Sequence, residues 1–154
     1  MMLAGGAHLV TRTEDQIRVY FGVFKFGQDP QIVTDLMGRE PTVAWCKGEP
    51  YGEHGGVRTH SRWELRSPAP PTGPVEDQLN SLLELLEASA EQVRSVASEF
   101  EAGICCAAKY WASFNPGIHL SVDALSRTSA LGLSIDFDLY FLSQGEVDEA
   151  EAAG

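Results

Sequence analysis

The densest group of chemically capable side chains lies between Gly48 and His60, where Glu49, Tyr51, Glu53, His54, Arg58 and His60 are interleaved with glycines. Glycine lets a backbone approach a ligand closely, and such loops carry binding groups on a rigid scaffold. Glu53, His54 and His60 are residue types that ligate metals. However, two histidines separated by five residues across Gly55-Gly56 match no tight ligand spacing, and no cysteine joins them. A solvated hairpin tip accounts for the same composition without any ligand. Trp45 and Lys47 precede this loop, and Arg62 and Trp63 follow it. The tryptophans, with Trp111, would line an apolar pocket or pack into the core. Shared strand faces with apolar neighbours favour the core for Trp45 and Trp63. Lys47 and Arg62 would meet an anion or snorkel from a sheet edge. The binding set expected from these arguments is Trp45, Lys47, Tyr51, Arg58, Arg62 and Trp63, with Glu53, His54 and His60 the metal alternative.

Asp136 and Asp138 form a second group. On one strand they share a face about 6.6–7 Å apart, a spacing that serves paired general acid/base carboxylates or a cation site. It serves equally a cross-strand charge ladder with Arg18, Arg62 or Lys109, and the ladder is the commoner use. The sequence contains no phosphate-binding glycine fingerprint, no Gly-x-Ser-x-Gly elbow and no His-Glu-x-x-His helix. Cys46, Cys105 and Cys106 are an odd set without Cys-x-x-Cys spacing. Adjacent cysteines on a strand point to opposite faces, so Cys105 and Cys106 are read as small buried side chains rather than as a disulfide.

The elements that must position these residues alternate between two periodicities. Gln16 to Phe26 reads as a central strand, apolar on both faces, with Ile17, Val19, Phe21 and Val23 opposite Tyr20, Phe24 and Phe26, and with a bulge expected near Gly22. Asp29 as N-cap, Pro30 at the first position and Gly38 beyond the end punctuate a short helix. Thr42–Lys47 and Thr59–Arg66 read as strands, separated by the polar loop. Four prolines between Ser67 and Pro74 make a stiff connector. Leu79, Leu82, Leu83 and Leu86 then mark an amphipathic helix. Ser89 with Gln92 looks like a capping box opening a further helix that carries Val93, Val96 and Phe100 and stops at Gly103. Ile104 to Phe114 alternates as a strand. Ser121 opens a last helix, with Val122, Leu125 and Ser129 facing inward, and Gly132 closes it. Leu133, Ile135, Phe137, Leu139 and Phe141 then form the buried face of a final strand. The strand–helix–strand pattern ending at Lys47 echoes the one ending at Phe141, which hints at a duplicated unit. The fold expected is α+β: a mainly antiparallel or mixed sheet with helices packed on one face.

With 154 residues the chain fits one domain, which would bury roughly 68–70% of its unfolded surface without a staple. That domain is expected over 13–143, with a poorly ordered stretch at 1–12 and an acidic, disordered tail at 144–154. The formal net charge of −11 repels nucleic acid and anionic membranes and favours a basic partner. No membrane span or secretion signal is read in the sequence, so the compartment expected is the cytoplasm.

Several short motifs occur together in order: Asp29-Pro30 opening a helix, Leu36 to Thr42, Trp45 to Glu49, Arg62 to Leu65, and Leu131 to Asp138. Through them the chain resembles, over roughly Arg12 to Leu142, the uncharacterised bacterial family known as domain of unknown function 4279. That resemblance implies a small α+β bacterial domain and brings no catalytic residues with it. The function expected is therefore a non-catalytic binding or protein-interaction module without a cofactor. An immunity-type protein steered to a basic toxin is its specific version. The alternatives are a small enzyme or metal-binding protein built from the Gly48–His60 loop with Glu64, Asp136 or Asp138, and a structural protein that self-associates through a sheet edge.

Overall fold

In the computed structural model, which describes residues 14–111 and 116–142, the chain builds its sheet around β1 (Gln16–Phe26). Helix α1 (Gln31–Met37) follows, then β2 (Val43–Trp45), a small hairpin of β3 (Pro50–Tyr51) and β4 (Gly56–Val57), and β5 (Ser61–Arg66). Helices α2 (Val75–Glu87) and α3 (Ala90–Glu99) lead into β6 (Glu101–Tyr110). Helix α4 (Val122–Ala130) and β7 (Ile135–Phe141) complete the described chain. The five-stranded sheet has the order β2-β5-β1-β6-β7, antiparallel except for β6 and β7. The expected α+β class and mixed sheet are observed. The terminal stretches 1–12 and 144–154, and the part of the expected strand at Ala112 and Phe114, lie outside the described residues.

All four helices described contribute to one core against a single sheet face. Val33 and Met37 of α1, the leucines of α2, Val93 and Val96 of α3, and Ala124 of α4 pack with Val19, Phe21, Val23, Trp63 and Ile104. Leu82, Leu83 and Leu86 are fully buried, and burying each contributes roughly 1.5–3 kcal/mol. At the start of α1, Asp29 Oδ1 accepts the Gln31 N–H at 2.8 Å, and Gly38 ends the helix at φ 65°. Ser121 Oγ accepts the Ala124 N–H at the start of α4.

Several expectations are corrected. The β1 irregularity lies between Val23 and Phe26, with Lys25 at φ 53°, and not at Gly22. It turns Phe26 onto the core face, where its ring meets Phe100 edge-on. Ser89 stands at the start of α3 but makes no side-chain cap, and that helix ends at Glu99 rather than at Gly103. In α4 the buried positions are Ala124 and Thr128, followed by Leu131, while Val122 is 81% exposed and Leu125 also faces out. Thr128 can face inward because its hydroxyl donates to the Ala124 carbonyl. As an edge strand, β7 is covered only near its start, so Phe137, Leu139 and Phe141 are exposed.

The two strand–helix–strand segments differ in one respect. In both, the second strand runs parallel to the first, but β6 and β7 are adjacent whereas β5 stands between β1 and β2. Among the described residues no helix is long and apolar enough to cross a membrane.

Candidate functional site

The sheet face without helices carries Tyr20 and Phe24 of β1, Trp45 of β2, Arg62 and Glu64 of β5, Cys105 of β6, and Asp136 and Asp138 of β7. Pairing register places them there: Trp45 stands opposite Arg62, whereas Ala44 stands opposite Trp63. Successive strand residues point to opposite faces, so the two tryptophans lie on opposite sides of the sheet. Trp63 is fully buried in the core, where its indole N–H donates to Thr34 Oγ1 at 3.0 Å. Trp45 belongs to the open face, contrary to the core expected for it. Trp111 follows the end of β6, away from both, with its backbone N–H on Asp15 Oδ1.

One end of this face forms an open pocket of about 550 Å³, over which the segment Tyr51 to Arg62 closes from one side. Its wall is a run of aromatic rings and guanidiniums. The Arg58 carbon lies 3.9 Å from the Trp45 ring centroid and 4.4 Å from that of Tyr51. The Arg62 carbon lies 4.8 Å from the Phe24 centroid and 5.3 Å from that of Trp45. Cations held against π faces in this range are attracted by the ring quadrupole. Two glycines make room for the rings. A Cβ at Gly22 would stand 2.2 Å from the tip of the Phe24 ring, and one at Gly56 would stand 3.1 Å from the Tyr51 ring.

The two arginines differ in how their donors are used. Arg62 Nε donates to Glu64 Oε1 at 2.6 Å, and Nη2 donates to Tyr20 Oη at 2.7 Å. Glu64, only 5% exposed, also faces Arg66 at 3.5 Å, so its carboxylate is committed to two guanidiniums. The Arg58 guanidinium makes no hydrogen bond or ion pair with any described residue; only its backbone bonds, donating to the Glu49 carbonyl and accepting from Gly48.

Across the pocket, Asp136 and Asp138 likewise carry no ion pair among the described residues. The ladder expected with Arg18, Arg62 or Lys109 is not formed among the described residues; Arg62 is turned instead to Glu64 and Tyr20. The nearest nucleophile types are subdued. Burial raises the Cys105 thiol above its ordinary value, and the Ser61 hydroxyl donates to the Gln28 carbonyl at 2.6 Å. Burial also pushes up the Tyr20 phenol, with Arg62 opposing it.

Of the expected binding residues, the pocket gathers Trp45, Tyr51, Arg58 and Arg62. Lys47 is exposed outside it, with its backbone N–H on Ser61 Oγ, and Trp63 belongs to the core. Among the described residues no three His, Cys, Asp or Glu side chains are grouped to hold a metal ion. His60 lines the pocket, whereas Glu53 and His54 stand on the exposed turn between β3 and β4. Sequence reasoning missed Tyr20 and Phe24 as site residues. Their signal in the sequence is the second apolar face of β1, which marks a central strand and a ligand-facing surface equally well.

This architecture, a helix-backed sheet with an aromatic and polar open face, is that of a small α+β domain. Residues 15–142 match the family described as domain of unknown function 4279, and the chain belongs to that family. No curated protein and no solved structure matches it.

Proposed function

We propose that the protein is a non-catalytic binding module of the cytoplasm whose open sheet face receives a basic protein partner. The observation that carries this reading is the unpaired state of Asp136 and Asp138 on the exposed strand β7, at the pocket, in a chain of net charge −11. Unpaired carboxylates beside an apolar rim of Phe137 and Tyr51 offer both steering and contact area to a cationic segment. The commitment of Glu64 to two arginines, of Ser61 to a backbone carbonyl and of Cys105 to a buried neutral form supports binding over catalysis.

The test is affinity capture from a lysate of the source organism at low and moderate salt, using the native chain and an Asp136→Asn/Asp138→Asn variant, with proteins identified by mass spectrometry. The expected result is one basic protein retained by the native chain, released as salt rises and weakly held by the variant. A captured toxin would specify an immunity role. Capture that ignores both salt and the two substitutions would overturn the reading.

A further inference from the structure

The pocket holds one cation and two anions whose charges nothing in the described structure answers: Arg58 on the aromatic wall, Asp136 and Asp138 on the strand opposite. Arg62 supplies the internal comparison. Both guanidiniums lie against aromatic rings, and in both cases a glycine lets one of those rings lie close to the backbone. Arg62 spends its donors on Glu64 and Tyr20, which makes it part of the framework. Arg58 is held by Trp45 and Tyr51 with its donors unspent. A guanidinium whose faces are packed and whose N–H groups are free presents a fork, and the fork matches the two oxygens of a planar anion.

The acidic residues opposite decide the rest of the ligand. A multiply charged anion such as a phosphate would face Asp136 and Asp138 across the same cavity, whereas a carboxylate joined to a cationic group satisfies both walls. The volume of about 550 Å³ is in the range of small-ligand pockets.

We propose that Arg58 is a carboxylate-binding residue and that the pocket takes a basic amino-acid residue, its carboxylate on Arg58 and its cationic side chain at Asp136 and Asp138. Such a residue is found free in solution or at the C-terminus of a polypeptide, and the chemistry at the pocket is the same. This deepens the proposed binding role, since a basic partner ending in lysine or arginine would enter through its terminus.

The probes are Nα-acetyl-lysine, its C-terminal amide and free lysine. Each is titrated into the native chain while the Trp45 indole N–H signal is followed by NMR, assigned with Trp45→Phe. Nα-acetyl-lysine should shift that signal and leave the Trp63 signal in place. The amide should bind about tenfold to a hundredfold more weakly, the ratio expected for losing a charge-assisted pair. Arg58→Gln should lose the same factor for Nα-acetyl-lysine and none for the amide. Arg58→Lys should also bind more weakly, because an ammonium lacks the fork. An unchanged Trp63 signal in each variant reports an intact core, and Asp138→Asn tests the opposite wall without touching the hairpin. Free lysine binding tenfold tighter than the acetylated form identifies a free amino acid as the ligand; equal or weaker binding identifies a chain terminus.

Equal binding of acid and amide, or an Arg58→Gln variant that binds like the native chain, overturns the proposal. If capture of a basic protein still depends on Asp136 and Asp138, the binding reading survives that failure. Loss of that capture with the probe results intact would retire the protein partner and keep the small-molecule site.

Discussion

Replacing each strand tryptophan by phenylalanine should cost very different amounts of stability, because the sheet separates them. Trp63→Phe removes the larger ring from a site with no exposure and breaks the indole bond to Thr34 Oγ1, itself on a buried residue. The shrunken side chain leaves a void costing about 1–2 kcal/mol, and the lost hydrogen bond costs about 1 kcal/mol. The expected destabilisation is therefore about 2–3 kcal/mol, or a fall in Tm of roughly 5–10 °C for a chain of this size. Trp45→Phe, on the open face and half-buried, loses part of a cation–π contact with Arg58 and should cost at most about 1 kcal/mol. Calorimetric scans of both variants provide the comparison, and Thr34→Val completes a double-mutant cycle with Trp63→Phe. Removing one partner of the hydrogen bond orphans the other, so the double variant should be less destabilised than the two singles added together by about 1 kcal/mol. Equal Tm shifts for the two tryptophans, or strict additivity with Thr34→Val, would refute the assignment of faces and of the hydrogen bond.

Two further outcomes are expected. Burial pushes the Cys106 thiol up to about 11 from its ordinary 9.0, so the unfolded chain ionises first as pH rises. Stability contributed by this group is therefore present below pH 9 and lost as pH climbs to about 11. Urea midpoints should fall more steeply across that window in the native chain than in Cys106→Ala, and identical slopes would contradict it. Gly22→Ala places a methyl group against the Phe24 ring and should drive that ring out of the pocket. In a Phe24→Ala background the same change should be neutral or stabilising by about 0.4–1 kcal/mol, read by urea unfolding, and a large cost there would show that the backbone, not the ring, excludes the side chain.

Local chemistry in the sequence determined much of this protein. Asp29, Pro30 and Gly38 set the ends of α1, Ser121 set the start of α4, and the leucine spacing set the buried stripe of α2, because caps and periodicity act within a few residues. The alternation in β7 likewise placed Asp136 and Asp138 on one face, and the apolar character of both β1 faces pointed to its central position. Only the tertiary structure decided what each face meets. An alternating pattern fixes which residues share a side of a strand, but strand pairing decides which side the helices cover. That is why Trp63 fell to the core and Trp45 to the pocket. The same cause turned α4 onto Ala124 and Thr128 rather than Val122 and Leu125, and left the apolar residues of β7 exposed at the sheet edge. The pocket joins β1, β2, β5, β6, β7 and the hairpin, and brings to one cavity residues as distant in sequence as Tyr20, Arg58 and Asp138. No local spacing encodes such a meeting: it exists only once pairing register has brought the strands side by side.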